Sequence, residues 1–309
     1  MANYVYLLDI ASIKLVPKNA ALDPKFHIKH FSEFLMEDQF LPHQFRKYYA
    51  QKYQTNDPLY FQFVSNFGPV TCRLLDKDGN IVVNGVSAAI ASTYYSAPFT
   101  CYGCSINLAG LAKGMYQVEL TVGSNDNEVV FVSEPLQIDT DLPGTILIQY
   151  SNVENDYGAI FQNGEQFAIR VEGAIDDFKP ASNDVVYEDE PANITRLSST
   201  PYRIFKGIFG GEEGIPDWMI DKINRASSCD TVLYDGKQFV KNEGAKWEGK
   251  SEDDYPLKGW NIELREAKAR NGLTVENSIP LNNGVTVLYI GETQLFGTLT
   301  GDALIKKVE

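Results

Sequence analysis

Histidine, cysteine and basic residues are the scarce materials of this chain, and each scarcity closes off a class of chemistry. Only three histidines stand in the 309 residues. His27 and His30 share one short segment and His43 follows a proline, with no cysteine or carboxylate pair set beside them as metal ligands. They read as surface or packing residues. The four cysteines, Cys72, Cys101, Cys104 and Cys229, make no framework. Cys101 and Cys104 form a C-x-x-C, yet no second pair follows at zinc spacing and no strand–helix–strand context surrounds them. Cys72 and Cys229 read as small buried hydrophobes, no cysteine pair is expected to join two sheets, and free thiols are the expected state.

Bases are outnumbered by acids, 27 to 41, for a net charge of −14. That balance argues against a sequence-independent nucleic-acid clamp, which needs clustered Lys and Arg to displace counterions. Residues 1–150 hold 14 acids and 10 bases, and residues 151–309 hold 27 and 17, so the acidity sits mostly in the second half. Asp184–Glu190 and Glu248–Asp254 are its densest runs. They read as solvated surface, or more sharply as a face that repels passing DNA.

Long apolar runs are also missing. No window of about 18 apolar residues exists, so no transmembrane helix is predicted. The opening MANYVYLLDIASIKLV lacks a basic n-region and a small-residue cleavage site, and reads as a first strand rather than a signal peptide.

The motifs of catalysis are absent too. There is no G-x-S-x-G, no H-E-x-x-H and no Ser/His/Asp order, and GIFGGEEG (207–214) lacks the P-loop lysine. Asp76, Asp78 and Asn80 occupy positions one, three and five of a calcium loop, but position twelve is Ser87, so they read as a polar hairpin turn. Asn193-Ile-Thr is a formal glycosylation sequon with no secretion signal to give it meaning. No catalytic, cofactor-binding or metal residue is assigned, and the chain is expected not to be an enzyme. The aromatic run YYAQKYQTNDPLYFQF (48–63) reads as core, with a sugar-stacking platform as the sharper alternative.

What the chain does hold is strand-forming material. Seventeen Tyr and 17 Phe, with many Val, Ile and Thr, favour strands, and the expected class is mainly β. Strands are expected at 3–16, 48–53, 59–65, 70–75, 80–83, 110–122 and 129–138, with DKDG (76–79) as a hairpin cue. Such short strands fit an N-terminal immunoglobulin-like β-sandwich over 1–143. The loop DTDLPG (139–144) marks a boundary, after which 144–270 is expected to form a β-sandwich or barrel domain. One helix belongs to it, at about 215–228. Pro216 suits a first helical position, and Ile215, Trp218, Met219, Ile223 and Ala226 recur at helical spacing. Residues 175–194 are expected to be a long acidic loop that crosses the surface or arms over a neighbour. Residues 271–309 are expected to form a hairpin and a strand, contacting a neighbouring subunit.

Several segments carry a resemblance. KYYAQKYQTNDPLYFQFVSNF (47–67), LLDKDGNI (74–81), ILIQYSNVENDYGAIF, FAIRVEG, STPYRIFKGIFGG, IPDWMIDKINRASSCDTVLYDGKQF and GWNIELREA together resemble structural proteins of Bacteroidetes phages and prophages over most of 40–267. The V-x-Y-D-G-K-x-F pattern is more loosely similar to tail-tube and distal tail proteins. This resemblance implies a non-enzymatic virion protein of the tail, baseplate or connector, assembled in the host cytoplasm into a symmetric homo-oligomeric ring with other tail proteins. It implies passive contact with a DNA channel, no specific nucleic-acid binding and no cofactor. The alternative expectation is a carbohydrate- or receptor-binding module at a tail tip, carried by aromatics in 48–63 or around Tyr94–Tyr102.

Overall fold

Strands dominate because the β-branched and aromatic residues alternate along the chain, and alternation puts one set of side chains on one face of a pleated sheet. In the computed structural model of the chain the described residues are 4–8, 10, 12–18, 49–91, 94–155, 158–188, 194–211, 214–250, 257–267, 279–280, 286–290 and 293–295. The protein is mainly β, with one α-helix among those residues. Residues Met1–Glu266 form one compact unit and Ala267–Glu309 a second. The histidines and the segment 26–36 lie outside the described residues.

The N-terminal half builds two sheets around one core. The first sheet runs β1 (Val5–Leu7), β4 (Leu59–Ser65), β8 (Thr100–Ile106), β7 (Val86–Ile90) in spatial order. The second is organised on β9 (Gly114–Val122), which pairs with β5 (Val70–Asp76) on one side and with β10 (Val129–Ser133) and β11 (Leu136–Asp139) on the other. Here β6 (Ile81–Asn84) extends the β5 side and β2 (Leu15–Pro17) the β10 side. Between the sheets lie Phe61, Phe63, Cys72, Leu74, Cys104, Val118 and Leu120, all essentially solvent-free. The expected strand at 129–138 is two, because Glu134-Pro135 interrupts the ladder.

The next strands close on themselves. β12 (Thr145–Ser151) pairs with β13 (Phe167–Glu188) and with β15 (Thr231–Tyr234). β15 pairs with β16 (Lys237–Lys241), β16 with β18 (Gly259–Glu266), β18 with β14 (Ile194–Phe209), and β14 with β13. These six antiparallel strands therefore form a closed barrel, an arrangement that leaves no unpaired edge within the ring. The short strand β17 (Glu248–Lys250) pairs with β18 outside it. Alternate residues Ile146, Ile148, Tyr150, Phe167, Ile169, Val171, Val232, Tyr234, Ile262 and Leu264 share one buried cluster, as the interior of a small barrel requires. At the β15–β16 turn Asp235 and Gly236 both have positive φ, 46° and 76°, the conformation that an Asp-Gly hairpin turn demands.

The helix α1 (Asp217–Ala226) buries Met219, Ile220, Ile223 and Ala226 in the barrel's cluster. Its N-cap is Pro216, so the helix starts one residue later than the sequence suggests, and Asp217 in the first turn accepts from Lys258 Nζ at 3.1 Å. Trp218 is only partly buried. It meets Tyr49 edge-on, with ring centroids 5.8 Å apart, and carries the ammonium groups of Lys14 and Lys222 at 5.0 and 5.3 Å from its ring centre. The helix is thus a core element.

Sandwich and barrel meet through β3 (Gln51–Gln54), which pairs in parallel with β11 and touches β13 at Lys52–Arg170. The second sheet therefore runs on across the Asp139–Gly144 loop into the barrel wall. Arg170 also donates to Asp57, Nε to Oδ2 at 2.6 Å and Nη2 to Oδ1 at 2.8 Å, with both side chains buried. In the second unit β20 (Thr286–Ile290) pairs with β21 (Thr293–Leu295) and with β19 (Ile279–Pro280). The strand expected at 303–308 lies outside the described residues.

Candidate assembly surface

Of the segment expected to be a loop at 175–194, the described residues, 175–188 and 194, are instead regular strand, and this is the main departure from the sequence reading. β13 runs on to Glu188 and β14 begins at Ile194, and the two remain paired from Gly173–Phe209 out to Glu188–Ile194. Only the root is flanked. β12 pairs with β13 no further than Glu172, and β18 pairs with β14 no further than Ile204. Beyond those points a two-stranded arm projects, with both outer edges unpaired among the described residues. At about 3.3 Å per residue its free part, Pro180 to Glu188, is roughly 26 Å long.

An isolated two-stranded ribbon is marginal in water, so its cross-strand contacts matter. Near the root Phe178 lies opposite Phe205 with ring centroids 6.2 Å apart, and Phe205 meets the core residue Phe239 at 5.3 Å. Arg203 covers Phe178 at 4.8 Å and Arg265 covers Tyr202 at 3.9 Å, adding cation–π contacts on the two faces. Further out Asp184 sits 3.7 Å from Arg196, and hydrogen bonds from Ser199 and Ser182 hold its carboxyl below the usual range. Pro180 and Pro201 each remove a backbone donor, which blunts the edges near the root and leaves the distal part fit for pairing.

That distal part is apolar where water is. Val185, Val186, Tyr187, Ile194 and Leu197 are between 54 and 68% exposed. Neighbouring residues of a strand face opposite ways, so Val185 and Val186 offer apolar groups on both faces, with a register shift between them. A second unpaired edge lies in the sandwich. Residues 81–90 (IVVNGVSAAI) carry no charge, form the outermost strands β6 and β7 of the two sheets, and expose Ile81, Val82 and Val86. Natural proteins normally guard such an edge with charge or proline.

The other sequence candidates resolve separately. Asp76 accepts from the amides of Asp78 and Asn80 at 2.9 and 2.8 Å and from Asn80 Nδ2 at 3.0 Å, so the carboxylate closes its own turn. Those bonds, the Asn80 side chain first, lower its pKa. Of the 48–63 aromatics that are described, Tyr49, Tyr53, Phe61 and Phe63 are buried in the two cores. Tyr94, by contrast, is 52% exposed against Tyr95, and Tyr4 and Tyr6 stack at 6.0 Å beside Phe99. Asn193 lies outside the described residues. Among the described residues no three His, Cys, Asp or Glu side chains converge as metal ligands, and no helix is long and apolar enough to cross a membrane.

The C-x-x-C motif is split by its strand. Residues three apart on a strand face opposite sides. Cys104 points into the sandwich core, while Cys101 packs with Val64 and Ile160 on the other face and donates to Gln62 Oε1 at 3.7 Å. Cys104 instead shares a buried cluster with Cys72 of the opposing sheet, and all four cysteines are thiols. Spacing in sequence gave no hint of it, because the partners are 32 positions apart on strands whose register only the fold defines.

One buried acid stands out at the sandwich–barrel junction. Glu134 is fully buried and accepts the Lys14 amide on both oxygens at 2.9 and 2.7 Å. Burial pushes its carboxyl up to about 7, opposed by the Lys222 charge and the Lys14 amide. Its neighbours Tyr49 and Tyr53 are likewise raised by burial. No protein-family model, curated protein or solved structure matches the chain.

Proposed function

We propose that the protein is a non-enzymatic structural subunit that assembles into a homo-oligomeric ring through its β13–β14 arm. The observation that carries the reading is the arm itself: about 26 Å of ribbon, unpaired on both edges among the described residues, with apolar residues exposed at its tip. A ribbon of that kind gains backbone partners by adding to an open sheet edge. The uncharged β6–β7 edge is the acceptor that its chemistry suits best. Arm and edge are different surfaces, so their contact is head-to-tail, and repeated head-to-tail contacts close into rings or run on as filaments.

The resemblance of residues 40–267 to phage structural proteins points this assembly to a tail, baseplate or connector of a virion. A net charge of −14, spread mostly over the second half of the chain, suits a ring through which DNA passes without sticking. Replacing residues 178–203 with an Asn-Gly turn leaves every barrel pairing from Gly173 inward intact and removes the apolar tip. The intact chain is expected to form rings in negative-stain electron micrographs and a multiple of the subunit mass by light scattering, and the shortened chain to be monomeric at the same concentration. An intact chain that stays monomeric at high concentration sinks the reading.

A second reading rests on the exposed Tyr4, Tyr6 and Tyr94 rings, which have the character of a pyranose-stacking surface. A glycan-binding screen that finds a ligand, lost in Tyr6→Ala with folding retained, supports it. A screen that finds none removes it.

A further inference from the structure

We propose that Cys72 and Cys104 are an oxidisable dithiol that forms a disulfide between the two sheets of the sandwich. Cys72 lies on β5 of one sheet and Cys104 on β8 of the other, and both are buried in the same cluster, 1% and 0% exposed. The two side chains face each other across the core between β5 and β8, within reach of mutual interaction. A disulfide demands such facing side chains on closely spaced backbones.

The surroundings hold the pair in place. The chain passes from β6 into β7 at Gly85, whose amide donates to the Cys72 carbonyl at 2.9 Å. A Cβ on Gly85 would lie 3.1 Å from Cys72 Sγ and 3.0 Å from the Ser105 carbonyl, so glycine lets the edge strand close over the sulfurs. Two residues on, Ser87 pairs with Cys104 in the ladder, and its hydroxyl lies 3.2 Å from Cys104 Sγ. The Ser87 hydroxyl is placed to donate a hydrogen bond to a thiolate on Cys104. The roles divide accordingly. Cys104 is the nucleophile and Cys72 the resolving thiol.

Hydrogen peroxide is the oxidant class that suits a site with so little room. The Cys104 thiolate attacks one peroxide oxygen, the O–O bond breaks, and the departing hydroxide takes up the proton Cys104 released, giving water and Cys104 sulfenic acid. Cys72 sulfur then attacks Cys104 sulfur, the S–O bond breaks, and hydroxide leaves with the Cys72 proton as a second water. Two thiols are oxidised and one peroxide is reduced to two waters. Entry follows from local opening of β6–β7, the outermost strands, whose residues are largely exposed.

The experiment treats the folded full-length chain with graded hydrogen peroxide, blocks residual thiols with an alkylating reagent, and maps peptides by mass spectrometry without reduction. The expected product is a Cys72–Cys104 linked peptide lighter by two hydrogens, with Cys101 and Cys229 alkylated. The linked form is expected to melt roughly 5–10 °C higher, a gain that dithiothreitol reverses. Cys101→Ser is expected to keep the link and Cys72→Ser to lose it. Wild-type protein that gives a Cys101–Cys104 link, Cys104 sulfinic acid without a link, or unchanged thiols overturns the proposal. Because the wild-type result decides, a variant that fails to fold does not protect it.

Discussion

Asp57 and Arg170 show how single residues tie the halves of the protein together. The carboxylate takes two hydrogen bonds from the guanidinium and also accepts the Gln54 amide at 2.6 Å, while Arg170 reaches Thr145 Oγ1 at 3.1 Å. Removing one member strands the other charge in a dry site. Asp57→Ala is therefore expected to lower the unfolding free energy by about 3–5 kcal/mol in urea titrations, and Asp57→Ala with Arg170→Met by clearly less. If the double variant proves as unstable as the single, the buried charge is not the cause.

Glu134 makes stability depend on pH in the opposite sense to an ordinary paired carboxylate. Its folded pKa is raised, from about 4.5 to about 7. Between those values the unfolded chain has released a proton that the folded protein still holds, so stability falls as pH rises through this window and levels off above it. At about 1.4 kcal/mol per pH unit the contribution is on the order of 2–4 kcal/mol. Glu134→Gln is expected to flatten the slope of stability between pH 4.5 and 7. An unchanged slope in that variant assigns the pH dependence elsewhere.

At the scale of elements, the strands that face one core on one side and solvent or a neighbour on the other were legible. Gly114–Val122 and Thr145–Ser151 alternate cleanly, and the Asp-Gly turn at 235–236 marks its hairpin. The helix was legible because its apolar residues recur at 3.6, as their burial in one cluster shows. The arm was not. With solvent on both faces it needs no apolar alternation, and its Asp, Ser, Asn and Pro content matches that of a loop. Its strand character shows only in Val185–Tyr187 and in the ITRLSST run. The Cys72–Cys104 pair was hidden for a related reason, since the facing of two sheets is not written into either strand.

The same exposure yields an element-scale prediction. With no partner on either edge among the described residues, the arm's amides are expected to exchange with deuterium faster than the barrel amides of 145–150 in the isolated subunit. In the proposed ring the amides of Thr195–Ser199 are expected to become protected. Equal exchange in both states would place the subunit contact elsewhere.

At the scale of the molecule, the barrel and the sandwich divide the labour of edges. Six strands closed on themselves offer nothing for another chain to extend, whereas the sandwich ends in β6–β7 and the arm ends in itself. Among the first unit's described residues the uncharged β6–β7 edge and the apolar tip of the arm are the largest stretches of this open backbone, beside the three-residue end strands β1 and β2. A protein built to stay alone would guard them.

The arm is no appendage tied on by a flexible joint, because its two strands are also adjacent staves of the barrel. A pull on the tip therefore runs along β13 and β14 into the wall. There it meets the ladders with β12 and β18 lengthwise, loading their hydrogen bonds in shear, all together, rather than peeling them one by one. Subunits linked this way would pass tension around a ring from barrel to barrel with no soft element in between.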